Sequence, residues 1–158
     1  MKLFKTLLAI TVILLVQTMF LNRFQVLKWI DLFLLMNIYY ALNFSQVASI
    51  GLSLCSGLVQ DSFSQGVVGM NAFSKTVVAY LVSTLSSRLM IKHPLIIMLL
   101  IGISTSLDFL IIHGLRLLFG LESPLSYGIL SAAALVNGVS GLVLFQITER
   151  IRVKKEYA

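Results

Sequence analysis

Long apolar runs, broken only by short polar turns, leave this chain few folds to choose from. Six can be drawn, at residues 3–21, 29–43, 46–60, 71–90, 94–119 and 125–148. A membrane-crossing helix needs about 20 apolar residues, so six would use about 120 and leave only turns and tails. Charge agrees with this: only 11% of residues are Asp, Glu, Lys or Arg and 58% are apolar, where a soluble domain carries about 25% charge. The mean hydropathy is +0.98. The expected fold is therefore all-α and polytopic, one integral membrane domain over residues 1–158. That excludes a soluble enzyme, a nucleic-acid-binding module and a receptor with a sizeable ectodomain. The net charge of +6 is not a nucleic-acid footprint, because the basic residues flank the apolar runs as membrane anchors and topology signals.

The first run, after Lys2 and Lys5, is too long for a secretion signal, and Gln17-Thr18-Met19-Phe20 offers no small-x-small cleavage site, so it reads as a retained span. The second and third runs are barely long enough to cross, and a re-entrant pair is their alternative. His93-Pro94 marks a helix boundary, since proline does not suit a preceding helix. With six spans both termini share a side. That side collects Lys2, Lys5, Arg88, Lys92, Arg150, Arg152, Lys154 and Lys155, and the other collects Arg23, Lys28, Lys75 and Arg116. Eight against four places both termini in the cytoplasm.

Ionisable residues inside lipid are costly and so call for an explanation. Asp108 lies within the fifth run, 14 residues before Glu122, and Asn137 lies 15 residues after it. An antiparallel hairpin turning at Glu122 would bring the two to one depth, where a hydrogen bond would satisfy both and fix the helix pair. A proton or ion relay is the alternative, weakened by the lack of a second mid-membrane carboxylate. Asp31 and Asp61 fall nearer the surface, as caps binding free backbone N–H groups or as contacts to a partner. Ser49, Ser53 and Gly57 form a small-residue stripe at i, i+4 and i+8, suited to close helix packing within the chain or against another protein; Ala134 and Gly138 offer the same choice. Cys55 reads as a small packing residue, and His93 and His113 have no partner at metal-ligand spacing. No nucleophile–base order, metal set or phosphate loop can be made out, so neither catalysis nor a cofactor is expected.

Several motifs in order resemble those of the MreD family of rod shape-determining membrane proteins. They are Asp31 opening the second run, Gly57-Leu58-Val59-Gln60-Asp61-Ser62-Phe63-Ser64, Gly69, Asn71-Ala72, Ala79-Tyr80, Ser106-Leu107-Asp108-Phe109, and Val136-Asn137-Gly138 before a basic tail. The chain differs where the family often has proline, at Lys28-Trp29-Ile30 and at Ser140-Gly141. The resemblance implies a non-enzymatic, multi-pass protein of the bacterial inner membrane, in the machinery that elongates the lateral cell wall. It also implies an MreC-like bitopic partner, together with MreB, RodA and a class B penicillin-binding transpeptidase. The family is similar in fold to the vitamin-capturing subunits of energy-coupling-factor transporters, so a substrate-binding transport subunit is the alternative function; it would need a polar pocket open to the outside. A partner would bind laterally, helix against helix, since the loops are too short to bury about 800 Å² on their own. The second and third runs with the Asp61 turn are the candidate surface.

Overall fold

A computed structural model describes residues 29–63, 67–88, 93–121 and 127–156, with side chains to 150. These residues form five helices and no strand: α1 (Leu32–Asn43), α2 (Gln46–Phe63), α3 (Met70–Arg88), α4 (Pro94–Leu118) and α5 (Tyr127–Glu156). The run at 3–21 lies outside the described residues.

The boundaries follow local chemistry. Asp31 caps α1 by accepting from the Leu34 N–H at 3.0 Å. His93 caps α4, with Pro94 in its first turn, where a missing N–H costs nothing. Two boundaries differ from the sequence expectation. The second run yields a helix of only 12 residues, about 18 Å long and short of a hydrocarbon core of about 30 Å. The expected charged tail is instead the end of α5, a helix of 30 residues running to Glu156.

α1 is central as well as short. Its residues Phe33 to Ile38 are buried without a break, the signature of a helix covered on all sides. It runs antiparallel to α2 and alongside α3, and it meets α4 and α5 more sparingly. α2–α3 and α4–α5 form the two closely packed hairpins. Leu34, Leu35 and Ile38 of α1 pack with Val78 and Val82 of α3 and Ile97, Leu100 and Ile101 of α4.

By length and composition, α4 and α5 can cross a membrane. Neither resembles the core helix of a soluble domain, since only 33% and 22% of their apolar windows are buried. Leu95, Leu99, Ile103 and Leu110 of α4 and Leu135, Val139 and Val143 of α5 stand exposed. Outward faces this apolar are suited to lipid.

Candidate functional site

The α2–α3 turn shows how the backbone positions the polar groups. Gly57 faces α3 so closely that a Cβ there would lie 2.3 Å from the Ala72 Cα and 2.9 Å from the Asn71 carbonyl oxygen. The resulting close approach brings Asp61, near the end of α2, onto the N-terminus of α3. Its Oδ2 accepts from the N–H groups of Gly69 (2.9 Å) and Ala72 (3.1 Å). Its Oδ1 accepts from the Asn71 N–H (3.1 Å) and the Asn71 Nδ2 (2.8 Å). The three backbone N–H groups are orphan donors of a helix start, and Asp61 serves them from the preceding helix. Gly69 adopts φ +103°, a left-handed conformation that only glycine takes without strain.

One turn into α3 stands Lys75, fully buried. Its Nζ lies 2.7 Å from Asp31 Oδ2 and 3.8 Å from Asp108 Oδ2. It also donates to Asn71 Oδ1 at 3.4 Å. The neighbouring Ser74 hydroxyl donates to Asp108 Oδ1 at 2.6 Å and lies 3.1 Å from the Asp108 carbonyl oxygen. Gln60 donates from Nε2 to Asp31 Oδ2 at 3.4 Å. One ammonium between two carboxylates thus joins α3, the N-terminus of α1 and the middle of α4. Attraction at these distances in a low-dielectric interior is strong, and it works against the high cost of taking each charge out of water.

The expected Asp108–Asn137 bond is not made. Asn137 is buried on α5, where its Nδ2 donates to the Trp29 carbonyl at 2.9 Å and its Oδ1 accepts from the Asp31 N–H at 3.0 Å. The start of α1 lies between the two side chains and offers Asn137 one donor and one acceptor. Asp108 meets an ammonium and a hydroxyl instead, stronger partners for a carboxylate than an amide. Lys75 also leaves the topology count, because it is an interior residue rather than a surface anchor. The basic residues then divide eight to three.

The other candidates are placed as follows. Ser49 and Ser53 face inward with no exposure, and Ser49 donates to the carbonyls of Tyr40 and Ser45, both at 3.0 Å. Of the two uses open to the stripe they form with Gly57, close packing inside the bundle is the one these residues serve. Gly138 is buried where a Cβ would lie 3.4 Å from the Met98 carbonyl oxygen, at the α4–α5 crossing. Tyr80 is exposed. Cys55, too, is exposed rather than packed.

The sequence points to neither Ser74 nor Asn37, offers Gln60 and Asn71 only as motif neighbours of Asp61, and reads Lys75 as a topology signal rather than a site residue. The signal for Lys75 was its position four residues into an apolar run, beside Ser74; a lysine there requires carboxylates at its own depth. Asn37 accepts from the Ser56 hydroxyl at 3.0 Å between α1 and α2. Among the described residues no group of three His, Cys, Asp or Glu could hold a metal ion. Chemically the cluster is a lock: its charged groups are bonded to one another.

Compared with known proteins, residues 1–150 match the family model described as rod shape-determining protein MreD. No curated protein matches, and no solved structure matches. The match spans the Asp61 turn, Lys75, Asp108 and Asn137, and on this coverage the chain belongs to the MreD family of rod shape-determining proteins.

Proposed function

We propose that this protein is a non-enzymatic subunit of the lateral wall-elongation machinery, acting by lateral contact with an MreC-like bitopic protein and, through it, with wall synthases. The family is a shape-determining, membrane-associated one, and the match over residues 1–150 carries the reading. In this reading the six apolar runs lie in the inner membrane, arranged as in the vitamin-capturing transport subunits, with both termini cytoplasmic. The eight-to-three distribution of Lys and Arg supports that orientation. The transport alternative needs a polar pocket, whereas the buried Lys75, Asp31 and Asp108 bond to one another.

The outward face of α2 is the proposed contact. Ala48, Gly51, Cys55, Leu58 and Ser62 are all exposed and recur at spacings of three and four, the seam on which a second helix packs knobs into holes. Nothing lies within 4 Å of a Cβ added at Gly51, so a partner helix can come close to the backbone there. Cys55, the chain's one cysteine, makes the test direct. Disulfide crosslinking from Cys55 to cysteines placed along the partner's single span should give a product in membranes. If Cys55 and Gly51→Cys give none while Leu135→Cys and Val139→Cys on α5 do, the α2 surface is wrong.

A further inference from the structure

Asn37 and Asn137 are equally hidden, each 1% exposed, yet only Asn137 has both ends of its carboxamide engaged. Its Nδ2 donates to the Trp29 carbonyl and its Oδ1 accepts from the Asp31 N–H. Asn37 Oδ1 accepts from the Ser56 hydroxyl at 3.0 Å, while its Nδ2 finds no partner among the described residues. Turning this amide over would exchange its two ends and strand the oxygen instead, so one end is orphaned either way.

Two further atoms on the α1–α2 seam share this state. The Ser53 hydroxyl is buried without a partner among the described residues, whereas Ser49 and Ser56 of the same helix each donate to a backbone carbonyl. Ser53 and Asn37 come together at one point: the Ser56 hydroxyl lies 3.2 Å from the Ser53 carbonyl oxygen and 3.0 Å from Asn37 Oδ1. One turn further along α2, Gln60 gives its Nε2 to Asp31 Oδ2 at 3.4 Å, and a carboxylate accepts only from that end of the amide. Gln60 Oε1 is thereby left buried, again without a partner among the described residues. Ser53, Ser56 and Gln60 follow at i, i+3 and i+7, on one helix face.

We propose that the α1–α2 seam is an internal water site, with ordered water bound to Asn37 and Ser53 and reaching Gln60. A buried polar atom left bare forfeits the hydrogen bonds it made in solvent. Water is the ligand that can accept from Asn37 Nδ2 and donate to Gln60 Oε1 alike, and a buried water needs two to four such partners. The side chains that α2 turns toward Asn37 are serines, which leave space for a molecule of that size. A hard metal cation would require six or more oxygens and opposite charge, whereas these are three neutral side chains, and the nearby Asp31 is already held by Lys75. Phe33 and Met36 pack with Leu52 and Val59 on the same seam, so a larger polar ligand would meet apolar walls. Through Gln60, the water stands one amide away from the Lys75–Asp31 ion pair. The inference is independent of any partner protein.

Water-edited solid-state NMR of the full chain in phosphatidylcholine bilayers tests this, with Asn137 as the internal control. Magnetisation from water should reach Asn37 Nδ2 at least three-fold faster than Asn137 Nδ2, which is equally buried but bonded to protein. It should likewise reach Ser53 Cβ at least three-fold faster than Cβ of the buried Val78. Ser53→Val, which puts a methyl group where the hydroxyl stands, should slow the transfer to Asn37 at least two-fold. Ser53→Ala, which removes the hydroxyl and adds nothing, serves where Ser53→Val fails to fold. Transfer to Asn37 no faster than to Asn137 overturns the proposal, as does undiminished transfer in a folded variant at position 53. A cross-peak joining Asn37 Nδ2 to lipid or to a side chain of residues 3–21, in place of water, overturns it too.

Discussion

Lys75 Nζ lies 2.7 Å from Asp31 Oδ2, with the lysine side chain fully shielded and the aspartate 20% exposed. This pair ties α3 to the residue that caps α1, and Asp108 adds a second carboxylate from α4 at 3.8 Å. Removing the cation strands two carboxylates inside the bundle. Lys75→Met is therefore expected to destabilise the protein by about 3–5 kcal/mol, the usual cost of breaking a buried pair from one side. Combining Lys75→Met with Asp31→Asn and Asp108→Asn removes all three charges and should recover much of that loss. Thermal unfolding in detergent, followed by size-exclusion chromatography, reads both; a triple variant no better than Lys75→Met would show that charge is not what the cluster balances.

Two glycines of α2 should respond in opposite directions. Gly57→Ala places a methyl group 2.3 Å from the Ala72 Cα, and backbone cannot yield as a side chain can. A loss at the upper end of the 1–3 kcal/mol range for overpacking is expected, as about 3 kcal/mol. Gly51→Ala meets nothing within 4 Å and should stabilise the isolated protein by about 0.5–1 kcal/mol through helix propensity. Denaturation of the two variants beside the parent decides it. Equal behaviour would mean that the α2–α3 crossing is looser than the Gly57 contact requires.

The sequence made the hairpins legible because their signals are local. His93-Pro94 marks the start of α4, and the Ser49-Ser53-Gly57 stripe marks a face that packs closely. The cluster was hidden because its bonds connect residues far apart in the chain. Asp108 and Asn137 sit symmetrically about Glu122, but symmetry within one hairpin says nothing of α1, whose first residues come between them. Lys75 follows the polar Asp61 turn closely enough to pass for a surface anchor. Only the burial of α3 against α1 and α4 makes it the counter-ion that Asp108 lacked on paper. The length of α1 is hidden for a related reason: its apolar run says that these residues are buried, not how many of them are helical.

Neutralising the two carboxylates around Lys75 should have unequal effects. In Asp108→Asn the amide oxygen can still accept from Ser74, 2.6 Å from the present Oδ1, and Lys75 keeps its nearer partner. A loss within about 1 kcal/mol, that of one ordinary hydrogen bond, is expected. In Asp31→Asn the cap on Leu34 survives, since asparagine caps as well as aspartate, but the 2.7 Å ion pair is lost, and a decrease of about 3 kcal/mol is expected. A relay through Asp108 would give another pattern: Asp108→Asn folded like the parent yet inactive in a cell-shape complementation assay. Measuring abundance and complementation for both variants separates the cases.

Asp61 should not tolerate the exchange that Asp108 does. Its two oxygens accept from Gly69, Ala72 and both nitrogens of Asn71 at 2.8–3.1 Å. Every one of these partners is a donor. Asparagine offers one accepting oxygen and one NH₂, so whichever way its amide is turned, two donors face a third. The Asp61 side chain is also buried, and water cannot replace what is lost. Each stranded group costs about 1–3 kcal/mol, so Asp61→Asn is expected to be at least as damaging as Asp61→Ala, which removes the acceptors without adding a clash of donors. Both should loosen the first turn of α3, exposing the amides of residues 69–72 to hydrogen exchange while those of α4 and α5 stay protected. If Asp61→Asn keeps parental protection at these amides, the carboxylate is not what holds the start of α3.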